Sequence, residues 1–204
     1  MTLVAHALTP ALRGLVLGGG AEPDDSSLQA AGDLKVVADQ VFSGPEPAAV
    51  RTAEALGLAP KVDQALRDRY YGNWDGRNLE DLLAVEPEQV AAWLESPHTA
   101  PPGGESAADL IVRAANWLAS LPRPGVADEF RGAGRRTAVA VVHPAVIRAM
   151  VLHVLEAPPE AIRRIDVRPL SVVQLSEHAG NWSFTLTPSS VPFRTCRSRI
   201  ITGH

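Results

Sequence analysis

The chain predicts an α/β fold, a single-domain three-layer sandwich with a mainly parallel central sheet and helices on both faces. Three observations carry that reading. Strand-like and helix-like segments alternate along the 204 residues, the pattern of strands joined by covering helices. Hydrophobic residues make up 46% and charged residues 21%, enough apolar surface for one sizeable core. Two short apolar runs, residues 2–5 and 137–142, each end on a histidine, His6 and His143. In open α/β sheets, strand ends of this kind build the functional crevice.

Taken in order, residues 2–5 read as the opening strand. Ser26 and Ser27 offer a cap for a helix through about Asp39, and residues 41–43 make a second strand. A helix from Pro45 to Leu56 follows, since proline is preorganised for a first turn. Residues 78–95 read as two helical pieces broken near Pro87. Over residues 105–121, Leu110, Ala114, Trp117 and Leu121 recur at helical spacing, which predicts an amphipathic helix with Trp117 in the core. Residues 122–136, rich in proline, glycine and charge, read as a surface loop before the strongest strand, 137–142, and a helix over 145–155. Residues 167–175 and 182–186 close the sheet as an antiparallel edge pair. The domain is expected to span residues 1–187, with a basic tail over 188–204.

A net charge of -4 and an isoelectric point near 5.9 give no electrostatic case for nucleic acid or an anionic membrane surface. The single cysteine, Cys196, cannot form an internal disulfide, and no segment reads as a signal peptide or a membrane span, so a cytoplasmic protein is expected. The expected partner is a small-molecule substrate, with no metal or cofactor. A homodimer is left open. The Gly18-Gly19-Gly20 run lacks the Gly-Lys-Ser/Thr of a phosphate loop and reads as a plain loop. His98, His153, His178 and His204 fit no pattern.

The chemistry-bearing segments are Ala5-His6-Ala7-Leu8-Thr9, Asp68-Arg69-Tyr70-Tyr71-Gly72, Pro102-Gly103-Gly104-Glu105-Ser106 and His143-Pro144-Ala145-Val146-Ile147-Arg148. Two imidazoles at one crevice, with a carboxylate on a glycine- and aromatic-rich turn, can perform acid–base or nucleophilic chemistry. Taken alone, Asp68 also fits a solvent-facing turn residue. Two histidines and a carboxylate are a partial metal set as well, but no local His-x-x-x-His pair supports one. In this order the segments resemble the histidine phosphatase superfamily, which includes phosphoglycerate mutases. The resemblance implies a phosphoglycerate mutase-like sandwich in which His6 is the phospho-accepting nucleophile. It makes His143 the histidine that hydrogen-bonds the phosphoryl group and Asp68 the proton donor.

Two expected residues are missing. The family's arginine before the nucleophile is Ala5 here, and the arginine of its second clamp aligns with Ala48. Each charge-assisted hydrogen bond is worth about 1.5–3 kcal/mol, so losing two weakens transition-state binding by roughly 10² to 10⁴. Thr9, Arg13 and Arg51 are the candidate substrate-binding residues; Arg51 lies one helical turn beyond Ala48 on nearly the same face, and Arg148 also lies near the second histidine. Loss of two cations should also return both imidazoles toward ordinary pKa values by removing like charge. The leading expectation is a phosphomonoester hydrolase acting through phosphohistidine. The alternatives are acid–base chemistry on a non-phosphorylated small molecule, and a catalytically inactive binding protein.

Overall fold

The computed structural model describes residues 1–121, 137–178 and 181–185. A six-stranded mixed sheet has the order β3-β2-β4-β1-β5-β6. β1 (Thr2–Ala5), β2 (Gln40–Ser43), β3 (Lys61–Val62) and β4 (Ala138–Val142) run parallel, and β5 (Val172–His178) and β6 (Asn181–Thr185) form an antiparallel pair added beside β1. The predicted fold class and the antiparallel edge pair therefore stand.

Side chains alternate across the sheet with the strand period of two. Leu3, Ala5, Ala140 and Val142 face one layer, where they pack against α6 (Ala107–Ser120) and α7 (Pro144–Val154) through Leu110, Trp117, Ile147 and Met150. Val4, Val139 and Val141 face the other, where Ala49 and Ala53 of α3 (Pro47–Ala55) cover them. Both faces of β1 and β4 are buried, which is why these strands read as unbroken apolar runs. α6 starts at a reciprocal capping box, with the Ser106 hydroxyl and the Asp109 carboxylate each bonded to the other's backbone N–H. A third cluster, Tyr71, Trp74, Leu82 and Val90, sits under α4 (Leu79–Val85) and α5 (Pro87–Glu95) beside the end of the sheet.

Several boundaries differ from the sequence expectation. The helix expected to run from Ser26 to Asp39 is α2 (Asp25–Gly32), which ends where Gly32 weakens helical propensity; Val36 and Ala38 then pack non-helically against the α3 face. Ser27 does not cap it. Its hydroxyl accepts the Leu8 N–H at 2.8 Å, tying α2 to the loop after β1. α3 begins at Pro47 rather than Pro45 because Glu46 is still extended. β5 starts at Val172 because Leu170 takes a left-handed conformation, φ 62°, in the preceding turn. The two-residue β3 had no hydrophobic signal, both residues being exposed. The loop 122–136 and the tail 188–204 lie outside the described residues.

Leu110 is fully enclosed between α6 and the sheet. Leu110→Ala should lower the unfolding free energy by about 2–5 kcal/mol, read as a drop in the urea midpoint at constant slope.

Candidate active site

β1 and β4 pair in parallel with Ala5 opposite Val142, and the His6 N–H continues the ladder to the Val142 carbonyl at 3.0 Å. The residues that follow each strand, His6 and His143, therefore emerge side by side, with ring centroids 5.2 Å apart and planes inclined by 44°. His143 is also the N-cap of α7, and Pro144 occupies the first turn, where its missing N–H costs nothing.

The His6 ring nitrogen Nδ1 lies 2.7 Å from the Ala7 carbonyl, which can only accept, so Nδ1 carries the proton and Nε2 keeps its lone pair. Burial, reinforced by the nearby His143 ring, pulls His6 down to about 4, with the Ala7 carbonyl and Asp68 opposing. The expected return to an ordinary imidazole value is thus corrected at His6, where desolvation outweighs the loss of neighbouring cations. The loop holding His6 is fixed from α3: the Ala7 N–H donates to the Thr52 hydroxyl at 2.8 Å, and that hydroxyl donates to the Ala48 carbonyl at 2.6 Å.

Asp68 reaches His143. Its Oδ1 lies 2.7 Å from His143 Nδ1, and the Ala145 N–H also approaches Nδ1, at 3.1 Å. One ring nitrogen cannot donate to a carboxylate and accept from an amide at once; the shorter, charge-assisted contact makes Nδ1 the donor and leaves Nε2 toward the cavity. Burial alone would push Asp68 up, but His143, the Arg69 N–H at 2.6 Å and His6 together hold it below the usual carboxylate range.

The turn carrying Asp68 is braced on both sides. Arg113 of α6 makes a bidentate pair with Glu105, both contacts 2.8 Å, and also donates to the carbonyls of Ala65, Arg67 and Asp68. Gly72 and Gly104 let the two loops meet backbone to backbone. A Cβ on Gly72, whose φ is 56°, would sit 2.3 Å from the Pro102 carbonyl oxygen, and one on Gly104 would sit 2.7 Å from that of Tyr70. On the third side the Asp68 N–H donates to Glu46 Oε1 at 2.7 Å. Glu46 Oε2 is buried without a hydrogen-bond partner, and burial pushes this carboxyl up.

These groups line one cavity of about 630 Å³, together with Thr9, Ala48, Tyr71, Arg148 and the Gly18-Gly19-Gly20 run. Thr9 is buried in its wall, its hydroxyl capping α1 (Pro10–Arg13) by accepting the Leu12 N–H at 3.1 Å. The two candidate arginines do not reach it. Arg13 is exposed and paired with Asp24, while Arg51 is exposed and lies 3.5 Å from Glu54 and 3.9 Å from Glu22. Nearby carboxylates hold both on the outer surface, so both are withdrawn as cavity residues. Ala48 lines the cavity, whereas Ala5 is fully buried behind it. Glu46 and Arg113 were missed; the one available signal for Glu46 was its position at the start of the helix where the clamp arginine was sought. Among the described residues no group of three or more His, Cys, Asp or Glu is disposed to hold a metal ion.

A sequence model of the histidine phosphatase superfamily (branch 1) matches residues 28–188. The chain belongs to that superfamily. The matched stretch begins after His6. Glucosyl-3-phosphoglycerate phosphatase of Mycobacterium tuberculosis is 36% identical over 114 residues, covering 54% of this chain and 49% of the relative. The 2,3-bisphosphoglycerate-dependent phosphoglycerate mutase of Azorhizobium caulinodans is 37% identical over 112 residues, 54% of this chain and 52% of the mutase. The chain thus matches about half the length of these curated relatives. Among solved structures, the mycobacterial glucosyl-3-phosphoglycerate phosphatase in complex with VO3 superposes with a TM-score of 0.73 at 25% identity, over 92% of this chain and 97% of the other. A putative alpha-ribazole-5'-P phosphatase from Escherichia coli shares the fold with a TM-score of 0.76 at 21% identity, over 91% and 93%.

His6 should titrate near pH 4 rather than near 6.5. Its imidazole resonances followed by NMR should stay those of a neutral ring down to about pH 5; a midpoint above 6 would mean that the ring is not desolvated.

Proposed function

We propose that this superfamily member is a phosphomonoesterase that works through a phosphohistidine. The observation that carries the reading is the neutral His6 beside the His143–Asp68 pair at the carboxyl ends of adjacent parallel strands. The named relatives, phosphatases and phosphoglycerate mutases, favour it over relocated acid–base chemistry or a binding role.

His6 Nε2 attacks phosphorus and forms the N–P bond as the ester P–O bond breaks. Arg148 and the Nε2–H of a His143 ring that also carries its Nδ1 proton, both lining the same cavity, donate to the phosphoryl oxygens. The charge of the bound phosphoryl group opposes the imidazoles that keep Asp68 ionised in the free enzyme, so Asp68 takes up a proton from solvent as the substrate binds and passes it to the departing oxygen. Water then attacks the phosphohistidine while Asp68 takes its proton, and inorganic phosphate leaves with His6 restored. Glu46 acts as a positioning residue, through the Asp68 N–H it accepts. No step calls for a metal. The lone Cys196 supports a cytoplasmic location.

Phosphate release from a panel of monoesters tests the reading. His6→Ala should lose at least about 10³-fold in rate with an almost unchanged melting temperature, and acid-labile phosphate should be trapped on the wild type but not on the variant. Turnover that survives His6→Ala would overturn the assigned nucleophile. Asp68→Asn should slow alkyl phosphates by about 10²-fold or more, but slow p-nitrophenyl phosphate far less, because that leaving group needs no proton. Equal losses on both esters would remove Asp68 as the donor. Ala48→Arg, extending into the cavity, should raise kcat/KM on simple monoesters at least about tenfold.

A further inference from the structure

The rest of the cavity says what kind of alcohol the phosphate is attached to. Beyond the histidines, one wall consists of Leu12, Leu15, Val16, Leu17 and Leu79. None of the five is fully buried, and Leu15 is 53% exposed at the mouth. The wall is built rather than incidental. The loop after α1 is laced to the segment before α4 by a bridge between Val16 and Asn78 and by backbone bonds joining Leu15 to Leu79, Leu17 to Arg77 and Gly76 to Leu17. Leu15 itself takes the left-handed conformation, φ 53°, which a bulky apolar residue adopts rarely.

The charges around the cavity point the same way. Three arginines line it. Arg67 faces Glu105 at 3.9 Å; Arg69 donates to the Glu105 and Thr99 carbonyls and stacks over Trp93, 5.1 Å from the ring centroid. Arg148 alone has neither a hydrogen bond nor an ion pair among the described residues, and its Nε is buried without a partner. One free cation matches one phosphoryl group. A second anion on the substrate would meet Asp68 and Asp75, which line the same cavity, and could be received only by drawing Arg67 or Arg69 out of its present contacts.

We propose, on the strength of the phosphatase reading above, that the substrate is a monoester of a bulky apolar alcohol whose only anion is the phosphoryl group. This sets the chain apart from relatives named for phosphoglycerates, which carry a carboxylate as well.

The n-alkyl phosphates from ethyl to octyl provide the test, because their leaving groups share one basicity and differ only in apolar surface. For the wild-type protein kcat/KM should rise about three- to fourfold per methylene until the wall is covered, and 3-phosphoglycerate should be hydrolysed at least tenfold more slowly than butyl phosphate. Leu15→Asp, a substitution at an exposed position that also suits a left-handed backbone, should flatten the rise while the melting temperature holds. A flat series, or a preference for 3-phosphoglycerate, accompanied by His6-dependent phosphate release, would overturn the apolar subsite and leave the phosphatase standing. No His6-dependent release from any ester, p-nitrophenyl phosphate included, would remove the phosphatase reading and the subsite with it.

Discussion

The register between β1 and β4 is the constraint on which the rest depends. Ala5 faces Val142, so the two histidines leave the sheet at one level and on one edge. A slip of one residue would send every side chain of β1 to the opposite layer, trading Leu3 and Ala5 for Val4 against α6 and α7. Because both faces are packed, that slip is strongly opposed, and the imidazole spacing inherits the rigidity of the sheet centre. The geometry of the histidine pair is thus set by the apolar residues of the sheet centre.

The carboxylate needs a different kind of support, since it arrives on a turn. Arg113 and Glu105 are 14% and 10% exposed, and Arg113 also donates to the carbonyls of Ala65, Arg67 and Asp68. Removing one partner of such a pair costs about 3–5 kcal/mol, because the other charge stays buried. The exposed Arg51–Glu54 contact belongs to a class worth about 0–1 kcal/mol. The first pair holds the site, and the second decorates the surface. Glu46 adds an oxygen whose partner is missing in the free protein, which leaves that side of Asp68 less stable than a fully bonded network would.

The central strands, the helices on both faces of the sheet and the two histidines were legible because burial on both sides writes itself as continuous apolar sequence, whereas the strand order was not. Asp68 was legible through its motif, and Pro102-Gly103-Gly104-Glu105-Ser106 through resemblance; the structure supplies the reason for that segment, since it is the backbone against which the Asp68 turn packs. Arg51 misled because helical proximity to Ala48 says nothing about which acids lie nearby: Glu54 on its own helix and Glu22 across a loop hold it away. Glu46 and Arg113 were silent because each acts on backbone groups from distant segments, 22 and 45 residues away from Asp68, and such contacts leave no periodicity.

β1 also has a place in time. It precedes both of the strands between which it is seated, β4 and β5, so its first neighbour is complete only when residue 142 has been added and its second only at residue 178. At roughly 5–20 residues per second, synthesis leaves Leu3, Val4 and Ala5 without a partner strand for about 7–27 s, far longer than a helix takes to form. During that interval the helices can assemble, but the segment bearing His6 has nowhere to dock. A nascent or truncated chain that has formed most of its helices therefore still lacks the strand pairing that sets His6 beside His143.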